Sequence, residues 1–145
     1  MPDRHLWTRH SQKIITFTGA AGAGATGVNT IFTITGRVWL HLISAFCTVD
    51  LVGSAALELG VAADVDAFIV STTDTAIDAD EWWTSATPIT GVEGPLKPIA
   101  STVPSQMDML LSQNIILTVT TNPTTSGVLV FDAHYTPLTD GGRLF

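Results

Sequence analysis

The chain has little cysteine and few charged side chains. Its 145 residues include one cysteine, Cys47, and 13% charged residues, whereas an average soluble domain carries about 25%. A single cysteine excludes an internal disulfide framework and a cysteine-based zinc site. Six basic against thirteen acidic residues give a net charge of −7. We therefore expect no direct nucleic-acid binding, because that function needs a cationic surface to meet phosphate.

Long apolar runs are also absent. The longest, residues 38–47, is interrupted by His41 and Ser44 and is too short to span a bilayer. The first residues contain no apolar segment of the kind found in a signal peptide. We therefore expect neither a membrane-embedded protein nor a cleaved leader.

The few basic residues concentrate near the N-terminus. Residues 1–13 hold three basic residues and one acidic residue, or +2, and the other 132 hold three basic and twelve acidic, or −9. Trp7 would be unusual in a free tail, although short polar termini are often disordered. We predict an N-terminal arm, residues 1–12, that lies on another subunit, followed by one domain, residues 13–145. A floppy terminus is the alternative.

The rest of the chain is rich in strand-forming patterns. It contains 22 threonines and 12 glycines, and 46% of it is hydrophobic. Apolar and polar residues alternate in short segments bounded by turn residues, which is typical of β-strands. These segments are residues 13–18, 30–35, 55–61, 65–71, 114–121 and 128–136. Their spacing predicts an all-β single domain of the β-sandwich or jelly-roll-like class.

Three segments are less regular. Residues 37–48 are apolar at both odd and even positions, which predicts a strand covered on both faces. Residues 88–104 contain four prolines, which indicates a loop or edge strand. Residues 105–112 fit either a short helix or a short strand.

The glycine-rich segment from Gly22 to Gly27 matches the spacing G-x-G-x-x-G. In a dinucleotide-binding protein this motif opens a helix, whose N-terminus holds the pyrophosphate. Here a strand pattern follows, so we expect a connection between two strands and no bound cofactor.

Residues 74–81 contain four carboxylates: Asp74, Asp78, Asp80 and Glu81. Oxygen-rich loops can hold Ca²⁺, but the EF-hand order of ligands is missing. A solvated acidic loop is therefore the default interpretation, with Ca²⁺ binding left open. A hydrolase using this loop is a third possibility, ranked last because no second carboxylate cluster faces it.

Trp82 and Trp83 are adjacent, so in an extended segment they point to opposite faces. One fills a core, and the other is exposed or docked on a partner, where tryptophan is often a binding hot spot. Stacking on a sugar ring is an alternative. The four histidines share no metal spacing, and we expect His41 to be hydrogen-bonded in a core or an interface. Cys47 should behave as a small buried hydrophobe.

Three stretches together resemble small virion structural proteins of tailed bacteriophages. They are the strand–glycine loop–strand of residues 13–38, the acidic and tryptophan-rich centre at residues 63–83, and the last strand running into Pro-Leu-Thr-Asp-Gly-Gly within residues 128–144. The resemblance implies a non-enzymatic component of a head or a tail, and it supplies no catalytic residue, cofactor or metal.

From the resemblance and the composition together we predict a capsid decoration (cement) protein that bridges capsomers on the outer surface of the head. Such a protein is made in the host cytoplasm and ends in the virion. Its expected partners are the major capsid protein and further copies of itself, with a homotrimer favoured because lattices offer three-fold positions. The alternative is a tail or baseplate component that contacts host glycan. The predicted contact residues are Arg4, Leu6, Trp7, Arg9, Trp82 and Trp83.

Overall fold

The computed structural model describes residues 7–90 and 107–145, and strands dominate both ranges. Within them the only helical element is a single 3₁₀ turn, Asp74–Ala76. The strands are β1 (Arg9–Thr16), β2 (Gly27–Phe32), β3 (Ile34–Thr35), β4 (Val38–Val52), β5 (Ala56–Val61), β6 (Asp64–Thr73), β7 (Glu81–Trp83), β8 (Ile89–Thr90), β9 (Met107–Leu111), β10 (Ile115–Thr120), β11 (Ser126–Pro137) and β12 (Arg143–Leu144).

The strands form two main antiparallel sheets. Sheet A has the order β1-β11-β4-β7-β8, with β9 also pairing with β4, and sheet B has the order β2-β10-β5-β6. Strands β3 and β12 form a small third sheet. The prediction of an all-β, sandwich-like domain is confirmed.

The inward residues of both sheets build one hydrophobic core. On β11 the alternation is as predicted, with Leu129, Phe131, Ala133 and Tyr135 buried. The largest fully buried side chains are Trp83, Phe32, Phe68 and Phe131.

The long strand β4 changes phase at His41. Leu40 pairs with Tyr135 and Leu42 pairs with His134, so that His41 is an extra residue in a bulge. Before the bulge Val38 and Leu40 point into the core, and after it Ile43, Ala45 and Cys47 do so. One added residue exchanges the two faces of a strand. The bulge thus accounts for the core residues of both parities, whereas Trp39, Leu42 and Phe46 are apolar residues on the opposite face of the strand.

Strand β1 begins earlier than the predicted domain boundary. Its pairing with β11 runs from Arg9, opposite Tyr135, to Thr16, opposite Val128. Residues 9–12 therefore belong to sheet A, and the boundary drawn after residue 12 falls inside a strand. Residues 7 and 8 precede the strand.

One other ambiguous segment is now placed, since the segment predicted as a short helix or a short strand contains β9. Of the proline-rich segment, residues 88–104, positions 91–104 lie outside the described residues. Over residues 7–90 and 107–145, no helix is long and apolar enough to cross a membrane.

Candidate functional site

An apolar row crosses the outer face of sheet A. The strand registers place Ile14 opposite Val130, Val130 opposite Phe46, Phe46 opposite Trp82, and Trp82 opposite Ile89. These five residues come from five different strands, and the first four lie next to a buried residue on their own strand. The row is therefore a product of the fold, because its members are at least seven positions apart in the sequence.

Further apolar side chains extend this face along the strands. Trp39 pairs with Leu110, which is 71% exposed. At the other end Val49 pairs with Val128, and Val49 is also exposed. We call the outer surface of sheet A from Val49 to Leu110 the apolar face. The row of Gln12, Asp132 and Ser44 separates its two apolar parts, and exposed apolar surface of this kind is found at interaction sites.

The polar groups of the apolar face bond to one another. Asp132 Oδ1 lies 2.6 Å from His10 Nε2 and accepts a hydrogen bond of 3.0 Å from Gln12 Nε2. The His10 and His134 rings lie 4.8 Å apart. The carboxylate on this face is thus already hydrogen-bonded within the chain, and the strip of His10, Gln12 and Asp132 lies beside the apolar row.

The outer surface of sheet B is different. Thr118 pairs with Val28 on one side and with Glu58 on the other, and the next outward pair is Thr120 and Ala56. Threonines and Glu58 are joined here by exposed valines, since Val28 is 63% exposed on β2, and Val65 and Val70 are 37% and 48% exposed on β6. Sheet B therefore presents a mixed surface of hydroxyl, carboxylate and apolar groups.

The adjacent tryptophans separate as predicted. Trp83 is 0% exposed, and its Nε1 donates a 3.0 Å hydrogen bond to Thr72 Oγ1. Trp82 is half-buried and packs against Phe46, with ring centroids 4.7 Å apart. Of the two predicted contact residues, only Trp82 presents a surface to a partner.

The predicted contact residues near the N-terminus are only partly placed. Arg4 and Leu6 lie outside the described residues. Trp7 is 72% exposed, and Arg9 is exposed at the first position of β1. On β1, Arg9 and Lys13 alternate with His10 and Ile14, so the two cations are not on the apolar face.

Asp74 is the acidic residue whose environment sequence reasoning missed. It is fully buried; Thr124 Oγ1 donates to its Oδ2 at 2.9 Å, and the amide of Thr75 donates to its Oδ1 at 2.8 Å. A Cβ on Gly53 would contact Asp74 Oδ2. This carboxylate joins its own loop to that of Thr124, and it is a structural residue rather than part of a solvated cluster.

The glycine-rich segment joins the same network. Thr124 donates its amide to the carbonyl of Gly24, and Gly24 donates its own amide to Asn29 Oδ1. Strand β2 follows directly from Gly27, so the helix that a dinucleotide site requires is not formed. The prediction of a connection between two strands is confirmed.

Two other carboxylates, Glu81 in the loop and Asp50 on β4, support the backbone of the loop. Glu81 Oε2 accepts a hydrogen bond of 2.9 Å from the amide of Asp78, and Asp50 Oδ1 accepts one of 2.7 Å from the amide of Ala79. Among residues 7–90 and 107–145, no group of three or more His, Cys, Asp or Glu side chains is arranged to hold a metal ion.

His41 is hydrogen-bonded and Cys47 is buried, as the sequence predicts. His41 Nε2 lies 2.7 Å from Thr136 Oγ1, and its ring lies 4.5 Å from that of Trp39. Cys47 is fully buried, and burial raises the pKa of its thiol to about 11. A thiol held in its neutral form is a poor nucleophile.

Two chains of solved phage capsids align with this chain. The chain is similar to a chain of the cyanophage Pam1 capsid asymmetric unit, with a TM-score of 0.52 and 16% identity over 89% of this chain and 84% of that one. It also aligns with a chain of the acidic stable capsid of Helicobacter pylori bacteriophage KHP30, with a TM-score of 0.47 and 8% identity over 96% and 98%. Neither the protein-family models nor the curated proteins gave a match. At these identities the likeness concerns the fold alone.

Proposed function

We propose that the chain is a non-enzymatic structural protein of a tailed-bacteriophage virion, and specifically a decoration protein on the outer surface of the head. Two independent observations support the virion role. The sequence resembles small phage virion proteins over most of its length, and the fold is shared with a chain of the Pam1 capsid asymmetric unit.

The observation that carries the proposal is the apolar face. A row of five apolar side chains across five strands lies outside the domain's core, yet its registers are continuous. Burying such surface contributes about 25 cal/mol per Å². A shell filled with DNA must resist internal pressure, and a small domain that adds buried area between capsomers reinforces it.

The partners follow from the remaining surfaces. Sheet B, with its threonines and Glu58, faces solvent, which suits a net charge of −7. The proposed partners are the major capsid protein and further copies of the chain. The copies are proposed to form trimers, because a capsid lattice offers three-fold positions. The residues before β1, with Trp7, reach a neighbouring subunit as an arm.

The tail alternative with glycan binding has less support. A sugar platform built from both adjacent tryptophans is not formed, because Trp83 is fully buried and bonded to Thr72. Trp82 is packed on Phe46. No described feature therefore favours glycan contact over contact with protein.

The test compares tailless heads with isolated tails from the virus that encodes the chain. We expect the protein on heads, in copy numbers that scale with the capsomers. Protein confined to tails, or missing from both, overturns the proposal. Deleting residues 1–8 should preserve the fold, since β1 stays complete, and weaken rebinding to stripped heads. The full-length Val28→Asp variant, altered only on sheet B, is the matched control and should rebind normally.

A further inference from the structure

Strand β1 is weakly attached to sheet A over its first half. It lies at the edge of the sheet, where it pairs with β11, and of its eight residues only Ile15 is buried. Segments with few buried apolar contacts open locally at a small cost in free energy. Residues 9–13 therefore depend on backbone pairing and on the side-chain contacts that they make with β11.

A cluster centred on Asp132 of β11 makes such contacts. His10 Nε2 lies 2.6 Å from Asp132 Oδ1, and Gln12 Nε2 donates to the same oxygen at 3.0 Å. The side chain of His10 is 48% exposed, and that of Asp132 is 23% exposed. The imidazole can therefore exchange protons with water, while the carboxylate that faces it is largely shielded from water.

The strength of this contact depends on the charge of the imidazole. A histidine side chain changes its charge between about pH 5 and pH 8. When His10 carries the proton, it forms an ion pair with Asp132 that is also hydrogen-bonded, whereas a neutral ring leaves the hydrogen bond alone. The folded contact favours the charged ring, so this part of the stabilisation is present at acid pH and is lost as the pH rises.

His134 is the second titratable ring beside the pair. It lies directly opposite His10 in the strand register, and the two ring centroids are 4.8 Å apart. A proton on each ring would bring two like charges together, and like charges oppose one another's formation. The carboxylate thus favours one proton in the cluster, on His10, and a second proton on His134 counteracts it.

The elements around the cluster add groups that keep their charge over this pH range. On β1 itself, Arg9 and Lys13 belong to the alternate set of side chains. Strand β4 faces β11 at this level with Leu42 and Ser44, which carry no charge. Strand β12 accepts a hydrogen bond from β1 through a backbone carbonyl and carries Arg143. Arginine and lysine do not titrate between pH 5 and pH 8.

We propose that His10 and Asp132 form a pH-dependent clasp, in which protonation of His10 fastens the first half of β1 onto β11. The clasp tightens as the pH falls from about 8 to about 5.5. Since residues 1–8 precede β1 in the chain, their anchor to the domain is firmer at acid pH. The inference does not rest on the proposed function, because it concerns the free chain.

The first test is a double-mutant cycle on the purified chain, with His10→Gln, Asp132→Asn and the double variant. Urea titration followed by circular dichroism gives the free energy of unfolding of each protein at about pH 5.5 and about pH 8. The coupling between the two positions, expressed as a factor in the folding equilibrium, should be about two- to fivefold larger at the lower pH.

Hydrogen exchange of the backbone amides of residues 9–13 tests the attachment of β1 itself. After correction for the intrinsic rate at each pH, these amides should be about two- to fivefold better protected at the lower pH. Asp132→Asn should remove this difference, and His134→Gln should enlarge it by removing the opposing charge. His41→Gln, a histidine of β4 in the same sheet, is the matched control and should leave the difference unchanged.

Coupling of equal strength at the two pH values overturns the inference. So does a difference in the exchange of β1 that persists in Asp132→Asn, because the titrating contact would then not be the clasp. Loss of the difference in His134→Gln or in His41→Gln would assign the titration to another histidine and would overturn it as well.

Discussion

Phe46 and Trp82 face each other across β4 and β7, with ring centroids 4.7 Å apart and planes inclined by 52°. They lie 36 positions apart in the chain, and each is adjacent to a fully buried residue, Ala45 or Trp83. Their contact is the centre of the apolar row on the outer face of sheet A. It stabilises the sheet and at the same time offers aromatic surface to a partner.

The two adjacent tryptophans should respond differently to truncation. Trp83→Ala removes a fully buried ring and its hydrogen bond to Thr72, and it should lower the free energy of unfolding by about 3–5 kcal/mol. Trp82→Ala removes a half-buried ring and should cost about 1–2 kcal/mol, but it should weaken association. Urea titration followed by circular dichroism measures both. Equal destabilisation by the two substitutions would contradict the assignment of their faces.

The buried carboxylate of Asp74 should be required for stability. Asparagine keeps its shape but offers one acceptor oxygen where Thr124 Oγ1 and the amide of Thr75 both donate. Asp74→Asn should therefore cost about 1–3 kcal/mol. The control is Asp78→Asn in the same loop, whose exposed side chain should change stability by no more than about 0.5 kcal/mol. Thermal unfolding of Asp74→Asn and of Asp78→Asn measures the two losses of stability. Similar unfolding curves for both variants would refute the structural role of Asp74.

Two glycines of the same loop provide a matched comparison. Gly22 and Gly24 both have positive φ, +75° and +101°, but a Cβ on Gly22 meets nothing within 4 Å, whereas one on Gly24 would contact the carbonyl oxygen of Thr124 and the ring of Phe17. Gly22→Ala should cost about 1 kcal/mol for the left-handed backbone. Gly24→Ala adds a clash of about 1–3 kcal/mol. Chemical denaturation should show a larger loss of stability for Gly24→Ala than for Gly22→Ala. The reverse order would contradict the described packing of the loop.

The Cys47 thiol should make folding sensitive to alkaline pH. Burial raises its pKa from 9.0 to about 11 in the folded protein, so the folded state holds the thiol proton more tightly than the unfolded state. This contribution is complete below the unfolded pKa and is lost as the pH rises through about 9 to 11. Stability measured across this range should fall more for the wild type than for Cys47→Ala.

Thiol reactivity checks the same point directly. At neutral pH a disulfide reagent should label Cys47 slowly in the folded protein and fast after denaturation, because the side chain is inaccessible and neutral. Rapid labelling of the native protein would contradict its burial.

The strand content was predictable because alternation is a local property. The pattern in residues 128–136 predicts which side chains of β11 point inward, since β11 follows an unbroken period of two through Tyr135. The bulge at His41 was not predictable. Its position depends on the pairing of β4 with β11, and the sequence of β4 alone shows only apolar residues at both parities.

The candidate site was only partly predictable for the same reason. Adjacent tryptophans in an extended segment must point to opposite faces, and this predicted one buried and one accessible ring. The apolar row could not be predicted from the sequence, because Ile14, Val130 and Phe46 become neighbours only through the order of the strands in sheet A. Asp74 was grouped with exposed carboxylates because its partner Thr124 lies 50 positions away.

The central claim is that the apolar face of sheet A is covered when the protein is in its assembly. Hydrogen–deuterium exchange cannot read side chains, so the direct measurement is hydroxyl-radical footprinting of the protein free at high dilution and bound to purified heads. The account predicts that oxidation of Trp82 and Leu110 falls strongly on assembly, while that of Val28 on sheet B is unchanged. Unchanged oxidation of Trp82 and Leu110 in the bound protein would contradict it.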